Sequence, residues 1–193
     1  MEKRMPERGE VSGPQNIALI GFMGSGKSTV GRILAGSLGW EVADTDALVE
    51  ADAGKPIPIL FREDGEIAFR DRETQAVCVA CSQTKKVVST GGGAILRAHN
   101  VAVLRDSCFV VWLTARPDIV LLRTARTAQN RPLLAQSGDD PNARLAHVLR
   151  MLGERSPLYQ AASHAIVDTS DRAPESVARD VARRWTKFAE ALQ

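Results

Sequence analysis

Nine residues, GFMGSGKST (21–29), combine glycine, lysine and hydroxyl side chains at a spacing suited to holding a phosphate chain. Gly21, Gly26, Lys27 and Ser28 satisfy G-x-x-x-x-G-K-[ST], with an apolar run before them and a helical pattern after. Glycine-rich backbone lets successive N–H groups curl around phosphate oxygens, and a helix N-terminus adds orphan donors and a favourable dipole. Lys27 would reach the β- and γ-phosphates, and the Ser28 hydroxyl would ligate Mg²⁺. The bland alternative is an ordinary glycine turn. The strand before and the helix after argue against it.

Other residues suggest the rest of a phosphoryl-transfer site. Asp44 and Asp46, in DTD, have period-two spacing at the end of a predicted strand, so both side chains would share one side near the loop. One carboxylate would steer Mg²⁺, and the other would accept a substrate hydroxyl as base. A helix N-cap is the competing reading of this pair and is compatible with the first. Arg70 stands in GEIAFRDRE with Glu73 three residues on, a helical pair that would hold it in place. Arg131, in NRPLL, falls in a long polar stretch, where a cation in a closing loop would stabilise phosphoryl charge. Arg155, in ERSPLY, lies near a helix end.

KKVVSTGGGAILR (85–97) poses a puzzle. Its strand ends where a phosphate-binding enzyme often keeps a metal-holding Asp, yet Ser89 and Thr90 stand there. Three glycines follow, Gly91, Gly92 and Gly93, each of which loses much backbone entropy on folding. His99, His147 and His164 show no metal spacing and read as surface or capping residues. RRWTK (183–187) reads as a solvated helix face.

The elements that would position these groups alternate along the chain. NIALIGF (16–22), WEVADTD (40–46), KKVVST (85–90), CFVVWLT (108–114) and HAIVDTS (164–170) read as strands. Helices are predicted over 27–38, over most of 47–83 with breaks near 54–58 and 64–65, from about 117, over 142–161 and over 174–192. Short apolar strands separated by helices predict an α/β fold, a parallel sheet with helices on both faces. Right-handed crossovers then bring every strand's C-terminal end to one edge, where the candidate residues lie. TAQNRPLLAQSGDDP (127–141) is a polar loop long enough to be functional, and residues 1–15 read as a flexible leader before a single domain.

Bulk properties narrow the class. The chain has 193 residues, 44% hydrophobic and 25% charged, and a net charge of +2 from 25 basic and 23 acidic residues. No strong field points to nucleic acid or an anionic membrane, though an arginine cluster would hold a small anion. No apolar run approaches the length of a membrane span, and the polar start lacks the apolar stretch of a signal peptide. Cys78, Cys81 and Cys108 are an odd count that suits a reducing cytosol. Cys78 and Cys81 have no second pair downstream and read as small buried helix residues.

Taken together, GFMGSGKSTVGR, DTDALVE, GEIAFRDRE, STGGGAIL, NRPLL and ERSPLY resemble the shikimate kinases, in order and spacing, from Asn16 to the last helix. The resemblance implies a three-layer α-β-α, adenylate-kinase-like fold with a five-stranded parallel sheet in the order 2-3-1-4-5 and a lid at 127–141. It implies transfer of the γ-phosphoryl of ATP to the 3-hydroxyl of shikimate, on the route to chorismate and the aromatic amino acids, by a cytoplasmic monomer with one Mg²⁺ per subunit. Gly24, Ser25, Gly26, Lys27, Ser28 and Thr29 fall on the positions that cradle ATP; Ser28 and Asp44 serve the metal. Asp46, Arg70, Gly91, Gly92, Gly93 and Arg155 fall on the shikimate side. Asp46 would touch the reacting hydroxyls, and Arg70 and Arg155 would clamp the carboxylate. Arg131 is the lid arginine, catalytic together with Lys27 and Asp46, while Arg126 and Arg172 fall where side chains pack against adenine. The glycine triplet then gains a purpose: bare backbone would approach the ring closely, and the Gly92 N–H would donate to shikimate's carboxylate or a hydroxyl, a plain flexible hinge being the bland alternative.

A gluconate kinase of the same fold shares the P-loop but should not need the glycine triplet with the F-R arginine. A nucleotide-binding regulator without turnover would need no small acceptor at all.

Overall fold

The computed structural model describes residues 13–125 and 141–192. Arg126, Arg131, most of the expected leader and all but the last residue of the expected lid lie outside the described residues. Five strands form one parallel sheet: β1 (Asn16–Ile20), β2 (Glu41–Asp44), β3 (Lys86–Ser89), β4 (Cys108–Thr114) and β5 (Ala165–Asp168), in the order β2-β3-β1-β4-β5. The helices are α1 (Lys27–Leu38), α2 (Thr45–Ala53), α3 (Ile57–Cys81), α4 (Ala98–Ser107), α5 (Pro117–Ala125), α6 (Pro141–Ala162) and α7 (Pro174–Glu190), with a 3₁₀ turn at Ala94–Leu96.

The central strand shows why both faces are covered. Every residue of NIALI is buried, and alternate side chains enter different cores. Ile17 and Leu19 pack with Val30 and Leu34 of α1 and with Val177 and Val181 of α7. Ala18 and Ile20 pack with Val77 of α3, Leu104 of α4 and Tyr159 of α6. The expected layers and strand order are therefore those found.

Four strands, β1, β2, β3 and β5, are shorter than their sequence patterns predict. The change that matters is at β2. Asp44 Oδ1 accepts the backbone N–H of Asp46 at 3.1 Å and of Ala47 at 3.5 Å, which starts α2 at Thr45. Asp46 thus sits in the first turn of a helix, not two residues along a strand from Asp44. The N-cap reading of this segment is the correct one for Asp44.

The predicted break near 64–65 is present inside α3: Gly65, at φ 82° and ψ 173°, leaves helical geometry. Arg70 and Glu73 lie on the longer piece beyond it. Two smaller expectations need correction. Cys78 is exposed, and only Cys81 is buried, with its Sγ 3.7 Å from that of Cys108. His164 is neither a surface nor a capping residue: its ring stacks on Phe109, and its Nδ1 accepts the Val110 N–H at 2.9 Å. Among the described residues no helix is long and apolar enough to cross a membrane.

Candidate active site

The phosphate-binding loop joins β1 to α1. Gly26 is the N-cap of α1 at φ 92°, a left-handed conformation that β-carbons oppose, and its carbonyl starts the helix by accepting the Val30 N–H at 2.9 Å. Lys27 folds over the loop, its Nζ donating to the carbonyls of Gly21 at 2.8 Å and Phe22 at 2.9 Å. Those bonds place the ammonium where phosphate oxygens would be cradled.

The loop is also braced from outside by residues that sequence reading missed. Arg123 of α5 donates to the Gly24 carbonyl at 3.2 Å, and to Thr169 Oγ1 at 2.9 Å and the Thr169 carbonyl at 2.7 Å. Thr169, just beyond β5, donates in turn to the Ser25 carbonyl at 3.1 Å. No local pattern announces this brace, because its members come from three distant parts of the chain.

The missing strand-end carboxylate is found one strand away. Asp44 pairs in register with Ser89, so the two stand level on neighbouring strands. Ser28 Oγ donates to Asp44 Oδ2 at 3.2 Å and lies 3.5 Å from Ser89 Oγ. The serine and aspartate expected at the metal position are thus in contact.

The glycine triplet follows β3, fastened by a bond from the Gly91 N–H to the buried Thr45 Oγ1 at 2.8 Å. A methyl on Gly91 would come within 2.5 Å of Asp46 Oδ1 and 2.8 Å of Glu73 Oε1; one on Gly93 would overlap the Arg70 guanidinium. Gly92 is different, since the nearest atoms to such a methyl stand 3.6 Å away. Arg70 itself is buried, held by Glu73 Oε2 at 2.7 Å and by Glu66 Oε1 at 3.1 Å, so the predicted helical pair exists. Burial pushes the Glu73 carboxyl above its ordinary range, against the pull of Arg70, and its Oε1 has no hydrogen-bond partner among the described residues. On the other flank the Gly92 carbonyl accepts from Tyr159 at 2.5 Å and lies 3.5 Å from Arg155 NH1.

A cavity of ≈ 370 Å³ unites these parts. Gly24, Gly26, Lys27, Ser28, Thr29, Asp44, Asp46, Gly92 and Arg172 line it, together with Arg123 and Thr169. Arg172 is fixed on its wall by Asp180 Oδ2 at 3.0 Å and the Ser176 carbonyl at 3.2 Å. Arg70, Gly91, Gly93 and Arg155 adjoin the cavity through the glycine loop. Ser25, also expected at the phosphates, is not among the lining residues: its Oγ is buried, without a hydrogen-bond partner among the described residues. One end thus offers the glycine loop, Lys27 and the N-terminus of α1, and the other carries two arginines and a carboxylate around bare backbone.

Known proteins resemble the chain in sequence and fold. A family model described as shikimate kinase matches residues 23–186. A shikimate kinase from Moorella thermoacetica is 41% identical over 179 residues, covering 93% of this chain and 99% of that protein. A shikimate kinase from Acinetobacter baumannii, solved in complex with shikimate, superposes with a TM-score of 0.83 at 36% identity, covering 91% of this chain and 94% of that one. A gluconokinase from Sinorhizobium meliloti reaches a TM-score of only 0.58 at 19% identity, a likeness of fold alone. With a family model spanning most of its length and a relative aligned nearly end to end, the chain belongs to the shikimate kinase family, kinases that use ATP to phosphorylate shikimate.

Proposed function

We propose that the chain transfers the γ-phosphoryl of ATP to the 3-hydroxyl of shikimate, on the route to chorismate, with its residues dividing the work between the two ends of one cavity. The observation that carries this reading is the junction at Gly92, where a phosphate-binding loop opens directly onto a loop flanked by Asp46, Arg70 and Arg155. Shikimate is a small carboxylate with three hydroxyls. Arg70 and Arg155 offer planar forks for the carboxylate, and Asp46 offers an acceptor for the attacking hydroxyl.

At the other end, Gly24 to Thr29 would surround the phosphates, with Lys27 leaving its loop carbonyls for phosphate oxygens. Arg172 would flank the adenine, a role that Arg126 would share. Arg131 is assigned to the transferring phosphoryl by the family resemblance. Ser28 Oγ and Asp44 Oδ2 stand 3.2 Å apart, close to the separation of about 3 Å between adjacent oxygens on an octahedral Mg²⁺ at about 2.1 Å. These hard oxygens fit Mg²⁺, and Ser28 and Asp44 would hold it, one ion per subunit. Held by Ser28 and Asp44, such an ion would supply positive charge for the β- and γ-phosphates. Asp46, in the first turn of α2, would take the hydroxyl proton as the new O–P bond forms.

The working unit in this reading is a cytoplasmic monomer without nucleic-acid or membrane partners, in keeping with a net charge of +2. The test is ADP release with Mg²⁺·ATP and a panel of acceptors. Shikimate should stimulate turnover, and gluconate and neutral polyols should not. Stimulation by gluconate alone would overturn the acceptor assignment, and no stimulation by any acceptor would favour a nucleotide-binding regulator.

A further inference from the structure

One buried polar group near the acceptor end is used by none of the assignments above. Tyr159 is 1% exposed, and its ring stacks on Trp112 with centroids 5.6 Å apart and planes 19° from parallel. Such packing leaves the hydroxyl little choice of direction. It donates to the Gly92 carbonyl at 2.5 Å, a short bond for this class, across 67 residues of sequence. Four residues earlier on the same helix, Arg155 NH1 lies 3.5 Å from the same oxygen, at the outer limit of a hydrogen bond. Two donors thus share one carbonyl, and the neutral one is an ångström closer. Burial pushes the Tyr159 phenol up to about 12, so the hydroxyl stays a donor throughout the neutral range; Arg155 and Arg70 oppose that rise, and Glu73 adds to it.

We propose that Tyr159 is a positioning residue for the acceptor: by occupying the Gly92 carbonyl it leaves the Arg155 guanidinium free to take the acceptor's carboxylate. Guanidinium–carbonyl bonds are charge-assisted and stronger than neutral ones. Without the phenol, Arg155 remains on that carbonyl and would close onto Gly92, a self-contact that the substrate must then break. The same bond fixes the tilt of the loop backbone that faces the ligand. This inference rests on the reading that Arg155 contacts the substrate carboxylate.

Tyr159→Phe keeps the ring and its stacking on Trp112 and removes only the donor. It should raise the KM for shikimate about fivefold, the loss of roughly one hydrogen bond, with a much smaller change in kcat and in the KM for ATP. In an Arg155→Ala background the same change should raise the KM less than about twofold, because the group it frees is gone. An equal factor in both backgrounds, or none in the native background while Arg155→Ala is impaired, overturns the role of Tyr159 and leaves Arg155 in place. A normal shikimate KM in Arg155→Ala overturns the underlying assignment as well. Tyr159 is the only tyrosine of the chain, so 3-fluorotyrosine labelling places a single ¹⁹F reporter at this site without removing the donor. Its resonance should shift on adding shikimate in the native chain and stay in place in Arg155→Ala. An unmoved resonance in the native chain overturns the proposal even if Tyr159→Phe does not fold.

Discussion

Side chains from two helices fill the space beside Gly91 and Gly93, while Gly92 faces an opening. The three glycines of one short motif are therefore under different constraints, and substitution should separate them. Gly91→Ala must displace Asp46 and Glu73, an overpacking that costs about 1–3 kcal/mol and should lower the melting temperature clearly. Gly92→Ala meets only ordinary contacts, so its melting temperature should stay near that of the native chain while the KM for shikimate rises. Equal melting temperatures for both variants would dismiss the steric account, and an unchanged KM in Gly92→Ala would leave the loop a mere hinge. The sequence revealed that three glycines needed a reason, and the spacing of Arg70 and Glu73 supplied one partner. It could not reveal which glycine touches which group, because Asp46, Arg70 and Glu73 arrive from helices folded over the strand end.

At the scale of elements, apolar periodicity predicted every strand and every α-helix described except α4, a segment with no predicted element, and at β2 a polar side chain settled the end. Asp44 is the instructive case: an alternating pattern carried the strand through Asp46, and a side-chain cap stopped it at Asp44. The brace of Arg123 and Thr169 was illegible for another reason, since nothing local distinguishes an arginine aimed at a distant carbonyl from one in solvent. The edge pair β4–β5 gives a prediction of its own. His164 precedes β5, donates its backbone N–H to the Val110 carbonyl at 2.8 Å and accepts the Val110 N–H on Nδ1. Burial, with Arg105 as a smaller cause, lowers its pKa in the folded chain. A lowered value means that the neutral ring is the native form. Its contribution is fully present above the unfolded value of about 6.5 and is lost as pH falls through the folded one. The melting temperature should therefore decline as pH drops below about 6.5, and His164→Asn, which keeps an acceptor but cannot titrate, should flatten that part of the profile. An identical decline in both chains would assign it to other groups.

For the whole molecule, the parallel sheet brings the ends of β1, β2, β3 and β5 to one edge and gives the nucleotide and acceptor ends different owners. In the proposed reading the phosphate end hangs on β1, α1 and β5, and the acceptor end on α2, α3, the glycine loop and α6. Lys27→Met should accordingly uncouple them. Each ligand at about 100 times its Kd raises stability by about 2.7 kcal/mol in the native chain. In the variant, ADP should lose most of that effect and shikimate should keep it, as read by thermal unfolding with each ligand alone. Loss of both together would show that the halves form one cooperative site. The register of Asp44 with Ser89 has a further consequence for such a molecule. A carboxylate in place of Ser89 would set a second negative charge level with Asp44, on the side where an anionic nucleotide and an anionic acceptor are brought together. With hydroxyls at Ser89 and Thr90 and bare peptide after them, the end of β3 adds no charge of its own. Two like-charged substrates are then spared one further repulsion, and the carboxylates that line the cavity, Asp44 and Asp46, are those with proposed work to do.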